Sequence, residues 1–388
     1  MQNSVVLRLF LLVVLLVGCE NCYAQGLATD RVIGNIEEVA RFNGPMPTGV
    51  TVSDYGRIFV NFPKWGDSVE YTVAEVKAGK TLAYPNSEIN HYAESDDPSS
   101  KLVSVQSVVV DPTGNRLWML DTGSIGMGTV KPGGAKLVGV DLTSNRVSKK
   151  ILFPADVALS TSYLNDVRFD LHRGPEGVAF ITDSTSNGAN GIVVVDLASG
   201  NSWRRLNDHS STKPDPEFLP VVEGEVLRLR LPGKPPAPFG VGSDGIAISP
   251  DGKTLYYCPL TSRHLYSVSV DALADNSKSD ADVAATVKDL GEKGGASDGL
   301  ESDAQGRVYL SDYEHNALRK RMPDGDIETL VHDPRVLWPD TLSLASDHYL
   351  YFTANQIERQ PAFNNGKDLR QKPYVVFRVK VDGTRIHN

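Results

Sequence analysis

One phrase recurs six times along this chain: a short alternating run, a tight turn carrying Asp and Gly, and a second alternating run. That recurrence limits the fold more than any other feature of the sequence. The clearest copies are GSDGIAISPDGKTLYY at 242–257 and ASDGLESDAQGRVYL at 296–310. Weaker spellings are PTGVTVSDYGRIFVNF (47–62), VQSVVVDPTGNRLWMLDTG (105–123), LNDVRFDLHRGPEGVAFITDS (164–184) and PDTLSLASDHYLYFTAN (339–355). Each reads as strand, turn, strand. The copies lie roughly 40–80 residues apart, which leaves room for two more strands and a variable loop in each.

Candidates for those further strands alternate around turn residues: KLVGVDLTSNRVSKKILF (136–153), GIVVVDLASGNSWRRL (191–206) and HLYSVSVDAL (264–273). Helical periodicity is scarce. The pattern predicts an all-β chain, a six-bladed β-propeller with four-stranded blades. A ring must close to remove its exposed sheet edges. IEEVARF (36–42) before the first copy and YVVFRVKV (374–381) after the last are both strand-like, so N- and C-terminal strands are expected to share one blade. The Pro- and Gly-rich stretches between copies read as loops within one domain. The longest, 207–241, is the candidate cover over one end of the ring.

The first residues, MQNSVVLRLFLLVVLLVGCENCYAQG, place Arg8 before an apolar run that is short for a spanning helix. They read as a secretory signal over residues 1–24, with 25–388 as the mature propeller domain. Leu16-Val17-Gly18-Cys19 also fits a bacterial lipobox, which would leave Cys19 lipidated at the new N-terminus. The expected location is secreted, periplasmic or lipid-anchored outside the cytoplasm, with no transmembrane span in the mature chain. Of the three cysteines, only Cys258 lies beyond the signal, so no disulfide framework is available and stability must come from core size. A net charge of -9 without a long basic run excludes nucleic acid as a partner.

In a propeller the first strand of each blade lines the central channel, and the residue just before it sits at the channel mouth. In the six copies this position holds Thr48, Gln106, Asn165, Asp244, Asp298 and Asp340, with Asp166 next to Asn165. Converging polar side chains make a small-molecule site. Carboxylates held close together repel unless a cation offsets them or a pKa rises. An organic amine or calcium would supply that cation. Trp65, in the Pro-rich loop after the first hairpin, is the aromatic expected to meet a ligand, whereas Trp118 and Trp338 are expected in blade packing. A second column, Asp121, Asp183 and Asp312, closes three hairpins and is expected to cap the following turns. The eight His are scattered without zinc spacing. There is no Gly-x-Ser-x-Gly, and the Gly-rich GSIGMG (123–128) stands alone in a β context, a poor phosphate loop.

The copies, taken in order, resemble the yellow and major royal jelly protein family in its bacterial branch. The strings that carry the resemblance include PTGVTVSDYGRIFVNFPKW, RLWMLDTG, SYLNDVRFD, AFITDSTSNGANGIVVVDL, SDGLESDAQGRVYLSDYEHNALRK and WPDTLSLASDHYLYFTANQ. The resemblance implies an exported six-bladed propeller. Insect members are linked to melanin chemistry on dopachrome-like substrates, some salivary members bind biogenic amines in the channel, and royal jelly members act as nutritional or scaffold proteins. The hairpins are also similar to those of gluconolactonase-type propellers, where acidic and amide residues at the mouth hold a divalent metal. Asp244, Asp298 and Asn165 fall at comparable places, while Thr48 stands where those enzymes bring a Glu.

Three functions follow as expectations. The protein is a carrier of a small cationic aromatic, a tautomerase in which Asp244 or Asp298 serves as base or acid, or a metal-assisted lactonase.

Overall fold

The computed structural model describes residues 30–387. The export signal, its cleavage sites and the lipidation candidate Cys19 lie outside the described residues.

Each of the six phrases forms the inner two strands of a four-stranded antiparallel sheet. Blade 1 runs Val50–Val52, Ile58–Asn61, Val73–Lys77 and Lys80–Ala83. Blade 2 runs Val105–Val110, Arg116–Thr122, Ala135–Asp141 and Arg146–Leu152. Blade 3 runs Leu164–Asp170, Val178–Asp183, Gly191–Asp196 and Ser202–Arg205. Blade 4 runs Ser243–Ile248, Thr254–Pro259, His264–Ser269 and Lys288–Glu292. Blade 5 runs Leu300–Ser302, Val308–Asp312, Ala317–Arg321 and Ile327–His332. Blade 6 takes Pro339–Leu344, Tyr349–Ala354 and Tyr374–Lys380 from the C-terminal end. Its outer strand is Ile36–Phe42, paired antiparallel with Tyr374–Lys380. The ring therefore closes as the sequence predicts, and a β-propeller of six four-stranded blades is the fold.

The Asp and Gly of the phrase have separate jobs. In five of the inner hairpins a residue in the left-handed region donates its N–H back three residues: Gly56 to Ser53, Gly114 to Asp111, Gly252 to Ser249, Gly306 to Asp303, and His348 to Ala345. Two of the second-column carboxylates, Asp121 and Asp183, tie their blade's start to its second strand. Asp121 accepts from the backbone N–H of Val103 (2.7 Å), Ser104 and Gly123, and pairs with buried Lys136 at 2.7 Å. Asp183 repeats this with Tyr163 N–H and Arg204, and Asp312 pairs with Arg319. These are structural contacts, as expected of turn-capping carboxylates. Trp118 also packs as expected, stacked on Phe169 of the next blade with centroids 5.3 Å apart.

The Gly of Ser-Asp-Gly lets neighbouring inner strands meet at the axis. A Cβ on Gly245 would lie 2.3 Å from the Asp298 carbonyl oxygen, and one on Gly299 would lie 2.4 Å from that of Asp340. Both obstacles are backbone and cannot rotate away. Gly245→Ala should therefore destabilise the protein by about 1–3 kcal/mol, while Gly44→Ala, with nothing within 4 Å of its Cβ, should stay within about 0.5 kcal/mol of the parent. Equilibrium denaturation of the two variants side by side checks this.

Candidate functional site

The inner strands do not start as regular strands. In blades 2, 3, 4 and 6 the pairing register shifts between Val105 and Ser107, Leu164 and Val167, Ser243 and Ile246, and Pro339 and Leu342. The residues inside those shifts are Gln106, Asn165 with Asp166, Asp244 with Gly245, and Asp340 with Thr341. Such bulges free a residue from the ladder and re-aim its side chain. Second-strand hydroxyls satisfy the displaced backbone. Thr182 Oγ1 receives Asp166 N–H at 3.2 Å and donates to the Asp244 carbonyl at 2.6 Å. Ser311 Oγ receives the N–H of both Asp298 and Gly299 at 3.0 Å. Thr353 Oγ1 receives Thr341 N–H and donates to the Thr48 carbonyl at 2.7 Å. Buried Cys258 holds the matching place in blade 4, its sulfur 3.9 Å from the Ser297 carbonyl. This column of small polar side chains went unread in the sequence, although aligning the second strands of the copies would expose it.

Gln106, Asn165, Asp244, Asp298 and Asp340 line one cavity of about 220 Å³, with Trp65 at its side. Its other wall is apolar: Leu229, Phe239 and Val241 from the long connection, Leu260 after the second strand of blade 4, and Ile357 and Phe363 from the loop inside blade 6. The 207–241 segment is thus part of the cavity's wall. It carries two small hairpins, Val221–Val222 with Glu225–Val226 and Arg228–Leu229 with Ala237–Pro238. It is tied to the ring by Val221 N–H on Glu314 (3.0 Å), Arg230 N–H on the Ala362 carbonyl (2.8 Å) and the Glu223–Arg359 ion pair. Phe239 meets Phe363 edge-on at 5.1 Å.

Two of the sequence-predicted residues are elsewhere. Thr48 is fully buried, receives Asn61 Nδ2 at 2.8 Å, and is not part of the cavity wall. Asp166 is buried outside that wall, accepts from Ser107 Oγ at 3.3 Å, and neighbours Arg168. Arg168 and Glu301 line a separate small cavity together with Arg385 of the C-terminal tail.

Each mouth carboxylate has one oxygen held by a short hydrogen bond. Asp244 Oδ1 accepts from Asn165 Nδ2 at 2.6 Å, Asp298 Oδ2 from Trp338 Nε1 at 2.6 Å, and Asp340 Oδ2 from Asn355 Nδ2 at 2.7 Å. The second oxygen of Asp340 has a 3.3 Å contact from Thr341 Oγ1. Trp338 packs in the blade as expected, stacked on Tyr313 at 4.1 Å, but its indole N–H also reaches the site. Sequence reading missed Tyr163, Trp338 and Asn355. Tyr163 receives Trp65 Nε1 at 2.7 Å and donates to Gln106 Oε1 at 2.8 Å. That bond fixes the amide and leaves Gln106 Nε2 as a donor.

Burial dominates the electrostatics. It pushes Asp298 up to about 7, helped by Asp166 and opposed by the Trp338 indole. Burial raises Asp244 well above the usual carboxylate range, with Asp298, Asp166 and Asp340 adding to it. Asp340 is raised in the same way, by burial and then by Asp298 and Asp166, while Asn355 and Thr341 pull it back. Among the described residues no group of three or more His, Cys, Asp or Glu is arranged to hold a metal ion. The expected metal set, Asp244, Asp298 and Asn165, comprises two carboxylates and an amide.

A carboxyl whose pKa rises on folding stabilises the fold below its unfolded pKa of about 3.9, and that contribution is lost as pH climbs through the folded value. For Asp298 the window runs from about 4 to about 7. Stability should fall by about 2–3 kcal/mol from this group between pH 5 and 8. In Asp298→Asn the melting temperature should decline less steeply over that range, and an unchanged slope would contradict the assignment.

The family model described as "Major royal jelly protein" matches residues 103–384. Among known proteins the chain is similar to protein yellow of Drosophila erecta and of Drosophila melanogaster. Each is 26% identical over 253 residues, covering 61% of this chain and 43% of the insect protein. The match thus spans less than half the length of these relatives. Among solved structures the chain is similar to regucalcin, a calcium-binding protein from Agrobacterium tumefaciens (TM-score 0.53, 13% identity, 90% of this chain and 97% of that one). It is also similar to a putative gluconolactonase (TM-score 0.53, 11% identity, 92% and 94%) and to a luciferin-regenerating enzyme (TM-score 0.52, 11% identity, 92% and 100%). At these identities the likeness concerns the fold alone.

Proposed function

The chain belongs to the major royal jelly protein family, and we propose that within it this protein is an exported propeller whose acidic mouth binds a small aromatic amine. One observation carries the reading. Three buried carboxylates face one cavity: Asp244 and Asp298 each have a single oxygen held by a protein donor, and Asp340 has one oxygen held at 2.7 Å and the other only by a long 3.3 Å bond from Thr341. The oxygens left over suit an ammonium, which offers three N–H donors and a charge to offset the crowding. Trp65, Phe239 and Phe363 supply an apolar and aromatic wall for the rest of the molecule.

The same residues fit calcium less well. Calcium takes about six to eight oxygen ligands. The mouth offers fewer unengaged oxygens, and Thr48 supplies no carboxylate and lies off the cavity wall. The lactonase alternative would need that ion to polarise the carbonyl.

A tautomerase reading of the same mouth rests on Asp298. A group titrating at about 7 can both take and return a proton at neutral pH. In that reading Asp298 removes a proton from a dopachrome-like substrate, and Asp244, held protonated by burial, returns one at a second position. The carrier reading needs only the charge.

Calorimetric titration with tryptamine and dopamine tests the proposal. Affinity should tighten as pH rises from 5 to 7, up to about tenfold per unit for one linked proton, because the carboxyls must ionise to pair with the amine. Asp298→Asn should weaken binding about 10- to 100-fold with the fold retained. Turnover of dopachrome that disappears in Asp298→Asn supports the tautomerase, and amine binding without turnover supports the carrier. No amine binding at any pH would overturn the proposal.

A further inference from the structure

Beside the acidic cavity lies a second one of about 220 Å³, and the two share Met127, Ser184 and Val241 as common wall. Their linings differ in kind. The first is carboxylate and apolar. The second is lined by Thr129, Ser160, Thr161, Thr185, Ser186 and Asn187, with no Asp, Glu, Lys, Arg or His. Thr129, Ser160, Thr161 and Ser186 are exposed, and their hydroxyls make no hydrogen bond to the described residues.

The partition between the cavities is built. The tip of GSIGMG turns through two left-handed residues, Gly126 at φ 61° and Met127 at φ 56°. It is pinned by Gly126 N–H on the Lys64 carbonyl at 2.9 Å and by Ser124 Oγ on the Gly128 carbonyl at 2.6 Å. Tyr163 lines the second cavity while its hydroxyl bonds Trp65 and Gln106 of the first. Ser184 Oγ, on the common wall, receives the same Asn165 amide that holds Asp244. A glycine-rich loop with no phosphate role in the sequence thus acts as a divider between a charged compartment and a neutral one.

We infer that the two cavities form one bipartite site for an amine that carries a neutral polyhydroxyl group, such as a glycoside of a phenolic amine. This rests on the reading of the mouth as an amine site. The ammonium and ring occupy the carboxylate compartment, and the sugar lies among the hydroxyls. Each Ser or Thr hydroxyl both donates and accepts, as sugar hydroxyls do. An uncharged wall matches an uncharged group without stranding a buried charge. Met127, unbranched and half exposed, can adjust where the ligand crosses the divider.

The test is titration of the full chain with tyramine and with its phenolic O-β-glucoside. The glucoside should bind about tenfold more tightly than tyramine, the value of one or two added net hydrogen bonds. Ser160→Trp, which fills the neutral compartment from an exposed position, should abolish that preference and leave tyramine affinity within about twofold. Ser186→Trp, from another position on the lining, provides the same readout if the first variant loses its melting transition. Asp298→Asn should weaken both ligands. Tyramine binding with no preference for the glucoside, or a preference that survives both Trp variants, overturns this inference alone. Binding of neither ligand overturns the amine reading and this inference with it.

Discussion

Everything at the mouth depends on how closely the inner strands approach the ring axis. The Asp298 carbonyl sits where a Cβ on Gly245 would be, and the Asp340 carbonyl where one on Gly299 would be. Strands packed this tightly cannot all begin in regular register. Four begin with a bulge, and hydroxyls of the second strands take up the freed backbone groups. The bulges turn Asp244 and Asp340 to the cavity, and Asp298 joins them from the unbulged start of blade 5, where Ser311 holds its N–H. Buried together, all three have their pKa raised, chiefly by desolvation and further by neighbouring carboxylates.

The protein meets half of that electrostatic demand itself. Asn165, Trp338 and Asn355 each hold one carboxylate oxygen, and the first two donors are anchored in turn. Asn165 also reaches Ser184, and Trp338 stacks on Tyr313. The long connection supplies the rest of the environment by bringing Phe239 and Leu229 onto the cavity wall. The apolar wall lowers the local dielectric at the mouth, which raises the cost of bare carboxylates and strengthens any cation that joins them. On the proposed reading, a cation that joins the three carboxylates offsets their crowding.

Much of this was legible in the sequence because a repeated hairpin carries its own geometry. Six copies of strand, turn and strand allowed the blade count, the closure by 36–42 and 374–381, and the convergence of Gln106, Asn165, Asp244, Asp298 and Asp340 to be read before any coordinates. What escaped lay outside the strict repeat. Trp338 looks like ordinary blade packing, and only its position two residues before Asp340 in the next blade aims its N–H at Asp298. Thr48 occupies the right place in its copy, yet blade 1 starts without a bulge, and the side chain turns to Asn61 instead. Tyr163 and the GSIGMG divider depend on contacts between blades that no single copy encodes.

The reading of Asp244, Asp298 and Asp340 as a cation site stands on the free oxygens of the first two and the weakly held Oδ1 of the third. A crystal structure of the protein with tryptamine at pH 8 tests it most directly. The account predicts the amine nitrogen within hydrogen-bond distance of all three carboxylates, with the indole against Trp65 or Phe239. An amine bound elsewhere on the ring, or a metal ion held by Asp244, Asp298 and Asn165 in its place, would contradict it.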